Sequence, residues 1–179
     1  MRLYPVSVAT LPPEGEVFSL EFQPAEVSRE LHQSGFREVD ALGPLRAQVA
    51  LVPSDGEVLL TGQLNMQVRY NCVRCLEPFD EDLRESFHVT LSDQEGAPAE
   101  MELGSGDPEI EFLKGGELDL TGLVTEQLYL ALRPHPVCQA TCRGLCPGCG
   151  ADLNKTQCHC ARGSVDARFA VLEKWARKG

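Results

Sequence analysis

The fold is decided by the stretch Glu57-Val-Leu-Leu-Thr-Gly-Gln-Leu-Asn-Met-Gln-Val-Arg-Tyr70, which alternates apolar and polar side chains with Leu59 as the exception. Successive side chains of a strand point to opposite faces, so this period predicts a long strand with one buried and one wet face. Leu45 to Val52 alternates more loosely, and Pro53-Ser-Asp-Gly56 between them has the composition of a turn. We therefore expect a hairpin at the centre of an antiparallel sheet.

Shorter periodic segments flank this hairpin. Residues 16–22 are rich in strand formers, and residues 24–33 open with proline and carry apolar residues four apart. They predict a strand followed by a short amphipathic helix. Residues 84–91 alternate again and predict another strand, whereas Glu77-Pro78 is expected to prevent the chain after Cys75 from running on into a regular strand.

The second half of the chain predicts a loop and two helices. Residues 92–109 are acidic and rich in glycine and proline, which is typical of a mobile, solvated loop. Asp119 or Thr121 can cap a following apolar helix that ends near Pro134. Residues 166–178 predict a last helix that begins with an acidic cap. The predicted class is α+β, an antiparallel sheet domain with a few packing helices.

Charge divides the chain unevenly. The net charge is -11, yet residues 1–132 hold 24 acids against 8 bases, and residues 133–179 hold 3 acids against 8 bases. We expect an acidic α+β body at residues 1–137 and, at residues 138–179, a cysteine-rich metal-binding segment with a basic C-terminal helix. Any nucleic-acid contact should lie in the basic part. The candidate phosphate-binding residues are Arg143, Lys155, Arg162, Arg168 and Lys174.

The cellular compartment follows from what the sequence lacks. The first fifteen residues do not resemble a signal peptide, and no apolar run reaches the length of a membrane span. We therefore expect a cytoplasmic protein without membrane contact. In a reducing compartment, paired cysteines are more often metal ligands or catalytic thiols than structural disulfides.

The eight cysteines carry the clearest signal. Their spacings are Cys72-x-x-Cys75, Cys138-x-x-x-Cys142-x-x-x-Cys146-x-x-Cys149 and Cys158-x-Cys160. Two intervening residues let both sulfurs reach one tetrahedral ion at about 2.3 Å. Keeping sequence neighbours together gives two four-thiol sites, and closed sites of this kind predict zinc, one ion in each. Site one is Cys72, Cys75, Cys138 and Cys142; site two is Cys146, Cys149, Cys158 and Cys160.

Other uses of the thiols stay open at this point. All-cysteine ligation also suits an iron–sulfur cluster, and a single Cys-x-x-Cys suits a redox dithiol. Either His135 or His159 is close enough in sequence to replace a ligand. Catalytic zinc, by contrast, needs an open coordination position and usually histidine ligands, for which no spacing is present. We therefore expect no enzyme and no small-molecule substrate.

Four segments share a pattern with a known family. They are Cys72-Val-Arg-Cys75-Leu-Glu-Pro-Phe79, Glu117-Leu-Asp-Leu120 with Glu126-Gln-Leu-Tyr-Leu-Ala-Leu132, Cys142-Arg-Gly-Leu-Cys-Pro-Gly-Cys-Gly-Ala-Asp-Leu-Asn154, and Asp166-Ala-Arg-Phe-Ala-Val-Leu172. Over roughly residues 15–178 the chain resembles the YceD family, the large ribosomal RNA subunit accumulation proteins. The resemblance implies a part in the synthesis, processing or stability of 23S ribosomal RNA, and it implies no enzymatic activity.

Two functions are therefore expected from different classes. The first is a zinc-stabilised accessory factor of large-subunit biogenesis that contacts ribosomal RNA directly, with Tyr70 and Trp175 as candidates for base stacking or, alternatively, for the core. The second is an adaptor whose acidic body binds ribosomal proteins or assembly factors without touching RNA.

Overall fold

The structure is a computed structural model, and it separates into two compact units. Its described residues are 1–54, 57–92, 110–112 and 116–160. Unit 1 comprises Met1–Tyr70 and Phe79–Pro134, and unit 2 comprises Asn71–Pro78 and His135–Gly179. The Cys-x-x-Cys motif at residues 72–75 thus belongs to the same compact unit as the cysteine-rich segment. The predicted loop 92–109, beyond Ser92, and the predicted helix 166–178 lie outside the described residues.

Unit 1 is built on a mostly antiparallel sheet, in agreement with the predicted α+β class. The strands lie in the order β2-β4-β5-β6-β7, with β3 paired to β5, and β1 pairs with β8 in a separate ribbon. The described strands are β1 Pro5–Ser7, β2 Glu16–Phe22, β3 Val39–Ala41, β4 Leu45–Ser54, β5 Glu57–Asn71, β6 Pro78–Ser92, β7 Ile110–Phe112 and β8 Glu117–Asp119. The described helices are a 3-10 turn at Val8–Thr10, α1 at Pro24–Gln33 and α2 at Leu120–Ala131.

The central hairpin is confirmed. Strands β4 and β5 pair antiparallel from Arg46↔Asn65 to Ser54↔Glu57, and burial alternates along β5 as the sequence period requires. Tyr70 is fully buried in the core, so of its two predicted roles the structure supports packing and leaves no face for a base. Trp175 lies outside the described residues.

Gly62 shows why a glycine interrupts the apolar face of β5. A Cβ atom there would lie 2.2 Å from Cζ of Phe87, well inside van der Waals contact. The ring of Phe87 therefore fills the space that a side chain at position 62 would occupy, and the strand keeps its regular pairing.

Strand β6 corrects the expectation drawn from Glu77-Pro78. The strand begins at Pro78 itself and runs for 15 residues, beyond the predicted 84–91. A proline at the first residue of a strand is tolerated because no ladder hydrogen bond needs its missing N–H. The sheet is also not wholly antiparallel, since β7 pairs parallel with β6 from Thr90↔Ile110.

Both helices inside unit 1 form where the sequence predicts them. Helix α1 has the predicted bounds and a capping box between Gln23 and Glu26. Of the two candidate caps for α2, Asp119 is the one used, because its carboxylate accepts hydrogen bonds from the N–H groups of Thr121 and Gly122. Buried side chains of both helices join the core of the sheet. Within the described part of the chain, no helix has the length and apolar character to cross a membrane.

Candidate metal centres

The eight cysteines come together in two groups of four. Within each group the sulfur atoms all lie within 4.8 Å of one another, and the membership is that of site one and site two. Both groups belong to unit 2. Among the described residues, the groups of four contain cysteine only. His135 and His159 are exposed and outside both groups, so of the two roles open to them in the sequence the structure favours the exposed one over that of a ligand.

Site one has the dimensions of a tetrahedral thiolate site. The Sγ atoms of Cys72 and Cys142 are 3.8 Å apart, and those of Cys75 and Cys138 are 3.7 Å apart. Four sulfurs at 2.3 Å from a central ion would be separated by about 3.8 Å. Three of these cysteines are buried and Cys138 is half-buried. The donor set therefore fits a tetrahedral, thiophilic ion that is shielded from water.

Site two is more open. The Cys158 sulfur lies 3.3 Å from that of Cys146 and 3.4 Å from that of Cys149. Cys149 and Cys160 are exposed, and only Cys146 is buried. A cavity of about 380 Å³ adjoins this site and is lined by Arg143, Gln157 and His159 together with Cys146, Cys158 and Cys160. The same donor chemistry is thus present, with more access for solvent and small reagents.

The two Cys-x-x-Cys turns share one backbone design. In site one, the Arg74 N–H donates to the Cys72 sulfur at 3.4 Å and the Leu76 N–H donates to the Cys72 carbonyl at 2.8 Å. The same two bonds recur in site two from Gly148 and Gly150 to Cys146, at 3.4 and 2.8 Å. The first bond in each turn thus aims a backbone N–H at the sulfur of the first cysteine, which spreads the charge of a thiolate, and the second bond closes the turn.

A left-handed residue follows the second cysteine in both turns. Leu76 has φ 62° and Gly150 has φ 73°. Glycine adopts this conformation without strain, whereas leucine does so at a cost. Leu76 occupies the position that Gly150 occupies in the other turn. In sequence, the two turns therefore share only the spacing of their cysteines.

The acidity of the thiols is uneven within each group. Burial raises the pKa of Cys72, but backbone N–H donors outweigh burial and lower that pKa to about 6. Backbone N–H donors likewise lower the pKa of Cys146 to about 6. Burial and hydrogen bonds with the other thiols raise the pKa of Cys138 to about 12, and hydrogen bonds with neighbouring thiols raise that of Cys160 to about 12. Four thiols so close together ionise fully only when a cation compensates their charge.

The segments of unit 2 are joined around site one by Arg74. Its carbonyl accepts from the Leu145 N–H at 3.0 Å, and its guanidinium donates to the Cys142 carbonyl at 3.0 Å. Gly144 has φ 71°, and a Cβ there would lie 2.9 Å from the Arg74 carbonyl oxygen, so this approach requires glycine. The sequence gives no signal for this role of Arg74.

The described part of unit 2 has almost no apolar core. Among its described residues, the cysteines Cys72, Cys75, Cys142 and Cys146 are the only buried hydrophobic side chains. Val73 and Leu76 are exposed, at 51% and 65%. The hydrophobic core cluster consists of residues of unit 1. Burial of apolar surface therefore contributes little to holding the described part of unit 2 together.

The candidate phosphate-binding residues differ in whether their charge is already paired with a carboxylate. Arg143 is exposed, and no ion pair engages its side chain within the described ranges. The Lys155 ammonium instead lies 2.6 Å from a Glu77 carboxylate oxygen and 3.7 Å from one of Asp152. Arg162, Arg168 and Lys174 lie outside the described residues.

The sequence of this chain is similar to those of several known proteins. Residues 60–175 match the family model described as large ribosomal RNA subunit accumulation protein YceD. The protein of that name from Haemophilus influenzae is 30% identical over 124 residues, covering 63% of this chain and 70% of that protein. The chloroplastic YCED homolog 1 of Arabidopsis thaliana is 22% identical over 157 residues, covering 72% of this chain and 47% of the relative.

An uncharacterized protein of Mycobacterium tuberculosis is 29% identical over 116 residues, 64% of this chain and 54% of that protein. The chain spans about half the length of the plant relatives that it matches. No solved structure gives a significant match to the chain.

Proposed function

This chain belongs to the YceD family, and we propose that it is a non-enzymatic accessory factor for the accumulation of large-subunit ribosomal RNA, with one zinc ion in each of its two four-cysteine sites. The observation that carries the proposal is the pair of all-cysteine groups in a unit whose described residues bury no apolar side chain other than cysteine. The names of the relatives from Haemophilus influenzae and Arabidopsis thaliana supply the link to ribosomal RNA.

Zinc is favoured by the donor set. Four thiolates in tetrahedral array are a usual structural zinc environment, and oxygen-preferring ions such as Mg²⁺ find no oxygen ligand in either group. Metal analysis of the protein purified without added metal tests this directly. Zinc near two ions per chain is the expected result. Iron in place of zinc, or folded protein without any metal, would overturn the assignment.

The closed sites support a structural use of the ions. Four sulfur ligands fill the coordination sphere of tetrahedral zinc, so no position remains for the water or substrate that catalytic zinc activates. Purified protein with its full metal content should therefore leave ribosomal RNA fragments intact. Cleavage that tracks metal content across preparations would contradict a non-enzymatic role.

Direct contact with RNA is proposed for the basic residues of the C-terminal part. Arg143 is the exposed arginine beside site two, and Arg162, Arg168 and Lys174 continue the basic sequence. Phosphate contacts by such residues make affinity fall steeply with salt. Lys155 is a weaker candidate, because Glu77 and Asp152 already balance its charge.

A charge-reversal experiment tests direct contact. We expect the triple variant Arg162→Glu, Arg168→Glu, Lys174→Glu to lose most of its affinity for ribosomal RNA and to show a flatter salt dependence. A matched control reverses three exposed arginines of unit 1, by Arg29→Glu, Arg37→Glu and Arg84→Glu, and changes net charge equally. Equal loss in both variants, or no loss in the first, would refute direct contact by the C-terminal residues.

A second candidate function is the acidic adaptor. In unit 1, Arg46, Arg69 and Arg133 are already paired with Glu21, Asp80 and Glu81, so the remaining carboxylates are in excess. Such a surface suits basic ribosomal proteins or assembly factors. Crosslinking in cell extract separates the two candidates: crosslinks to protein alone favour the adaptor, and crosslinks to large-subunit RNA favour direct contact.

A further inference from the structure

Asn154 belongs to the loop of site two but touches a ligand of site one. It lies between Cys149 and Cys158 in sequence, and its side-chain Nδ2 donates to the Cys142 sulfur at 3.4 Å. Its Oδ1 accepts from the backbone N–H of Arg143 at 2.8 Å. One amide side chain thus joins the segment between the ligands of site two to a ligand of site one.

The direction of the amide group follows from its partners. The Arg143 N–H needs an acceptor, so it selects Oδ1 and turns Nδ2 toward Cys142 and toward the Asp152 carboxylate, 2.8 Å away. An N–H donor aimed at a thiolate sulfur stabilises its negative charge and so favours the metal-bound form of the site.

The loop that carries Asn154 is held by bonds within site two. The Cys146 N–H donates to the Ala151 carbonyl at 2.8 Å, and the Leu153 N–H donates to the Gly144 carbonyl at 2.9 Å. The described part of unit 2 buries no apolar side chain apart from cysteines. The position of this loop therefore depends on the interaction that holds the thiols at its two ends together, which for the proposed metal function is their shared ion.

We propose that Asn154 is a positioning residue that couples the two sites, so that an ion bound in site two raises the affinity of site one for its own ion. The inference rests on the proposed metal function. Binding in site two orders the loop between its ligands and presents Nδ2 of Asn154 to Cys142. Thermodynamic linkage makes the effect reciprocal, so an ion in site one also strengthens binding in site two.

Cobalt(II) titration of the full reduced chain measures the coupling, because thiolate-to-cobalt charge transfer reports each ion bound. The affinity of site one for cobalt is compared among four chains. These are the wild type, Asn154→Ala, a chain whose site two is disabled by Cys158→Ser and Cys160→Ser, and a chain that carries all three changes. Changes to residues that orient metal ligands typically weaken affinity roughly 10- to 100-fold. We expect a loss in that range from either change alone and no further loss when they are combined.

Two further variants test whether the Nδ2 hydrogen-bond donor of Asn154 is the group responsible for the coupling. Asn154→Asp keeps an acceptor for the Arg143 N–H and removes the donor toward Cys142, so it should weaken site one at least as much as Asn154→Ala. Lys155→Ala removes the exposed pair with Glu77 and should change the affinity of site one less than about twofold.

The coupling is refuted if Asn154→Ala leaves the affinity of site one unchanged, or if the losses from the two changes add in full. Wild-type affinity in Asn154→Asp would also refute it, because the donor would then be irrelevant. A wild-type chain that binds no cobalt through sulfur would instead refute the metal function itself. Two ions that bind independently would leave that function intact and remove only the coupling.

Discussion

Removal of metal should unfold unit 2 and leave unit 1 folded. Structural zinc contributes on the order of 10 kcal/mol per site in small metal-binding peptides. That is comparable with the whole stability of a typical domain, about 5–15 kcal/mol. Unit 2 has no buried apolar side chains other than cysteines among its described residues to offset the loss, whereas unit 1 has the continuous core of its sheet and two helices.

Hydrogen exchange of backbone amides before and after chelation under reducing conditions is the appropriate measurement. The informative amides are those of Leu145 and Leu153, which bond across unit 2 to the carbonyls of Arg74 and Gly144 at 3.0 and 2.9 Å. A loss near 10 kcal/mol exceeds any protection that these amides have, so their exchange should approach the rate of an unfolded chain. Amides in the β4–β5 pairing provide the control within the same sample.

Protection at Leu145 and Leu153 that survives complete removal of metal would refute the reasoning. It would mean that hydrogen bonds and turns alone hold unit 2, and that the sulfur groups are not its organising element. Return of protection on addition of zinc, after loss on chelation, is the expected outcome.

Three further predictions concern single side chains. Gly62→Ala should lower the free energy of unfolding of unit 1 by about 1–3 kcal/mol in a denaturant titration, because the new Cβ meets Phe87, and Phe87→Leu in the same chain should restore part of the loss. Asp119→Ala should cost about 1–2 kcal/mol in the same assay, since its carboxylate accepts from Thr121, Gly122 and Tyr4; a neutral result would contradict its role as cap. Leu76→Gly should strengthen ion binding in site one by relieving about 1 kcal/mol of backbone strain, with Gly150→Leu as the opposite change in site two.

The sequence predicts the long elements of unit 1 because their periods are unambiguous. Strand β5 repeats its alternation over fifteen residues, and α1 opens with a proline that also marks its observed start. Strands β1, β3, β7 and β8 have three residues each, too few for a period to stand out. Their existence depends on tertiary pairing, such as that of β3 with the end of β5.

The cysteine spacing predicts which thiols group together but not how the groups are supported. Ligand spacing is a local property, so two-residue gaps identify each turn from sequence alone. The contact of Asn154 with Cys142 connects the two sites, and that of Arg74 with Leu145 joins residues far apart in the chain. A lone asparagine or arginine carries no pattern that marks such a contact, and only the folded backbone reveals it.

The charge of the loaded sites bears on where RNA would bind. A divalent ion with four thiolates leaves a formal charge of -2, so two loaded sites would place negative charge within unit 2. Of the basic residues described there, Lys155 is balanced by carboxylates and Arg74 donates to backbone carbonyls. Arg143 remains, and the other basic residues of the unit lie beyond residue 160. For the proposed RNA contact, the loaded metal sites would therefore serve as supports for nearby basic residues, and the electrostatic attraction would have to come from Arg143 and the basic residues beyond residue 160.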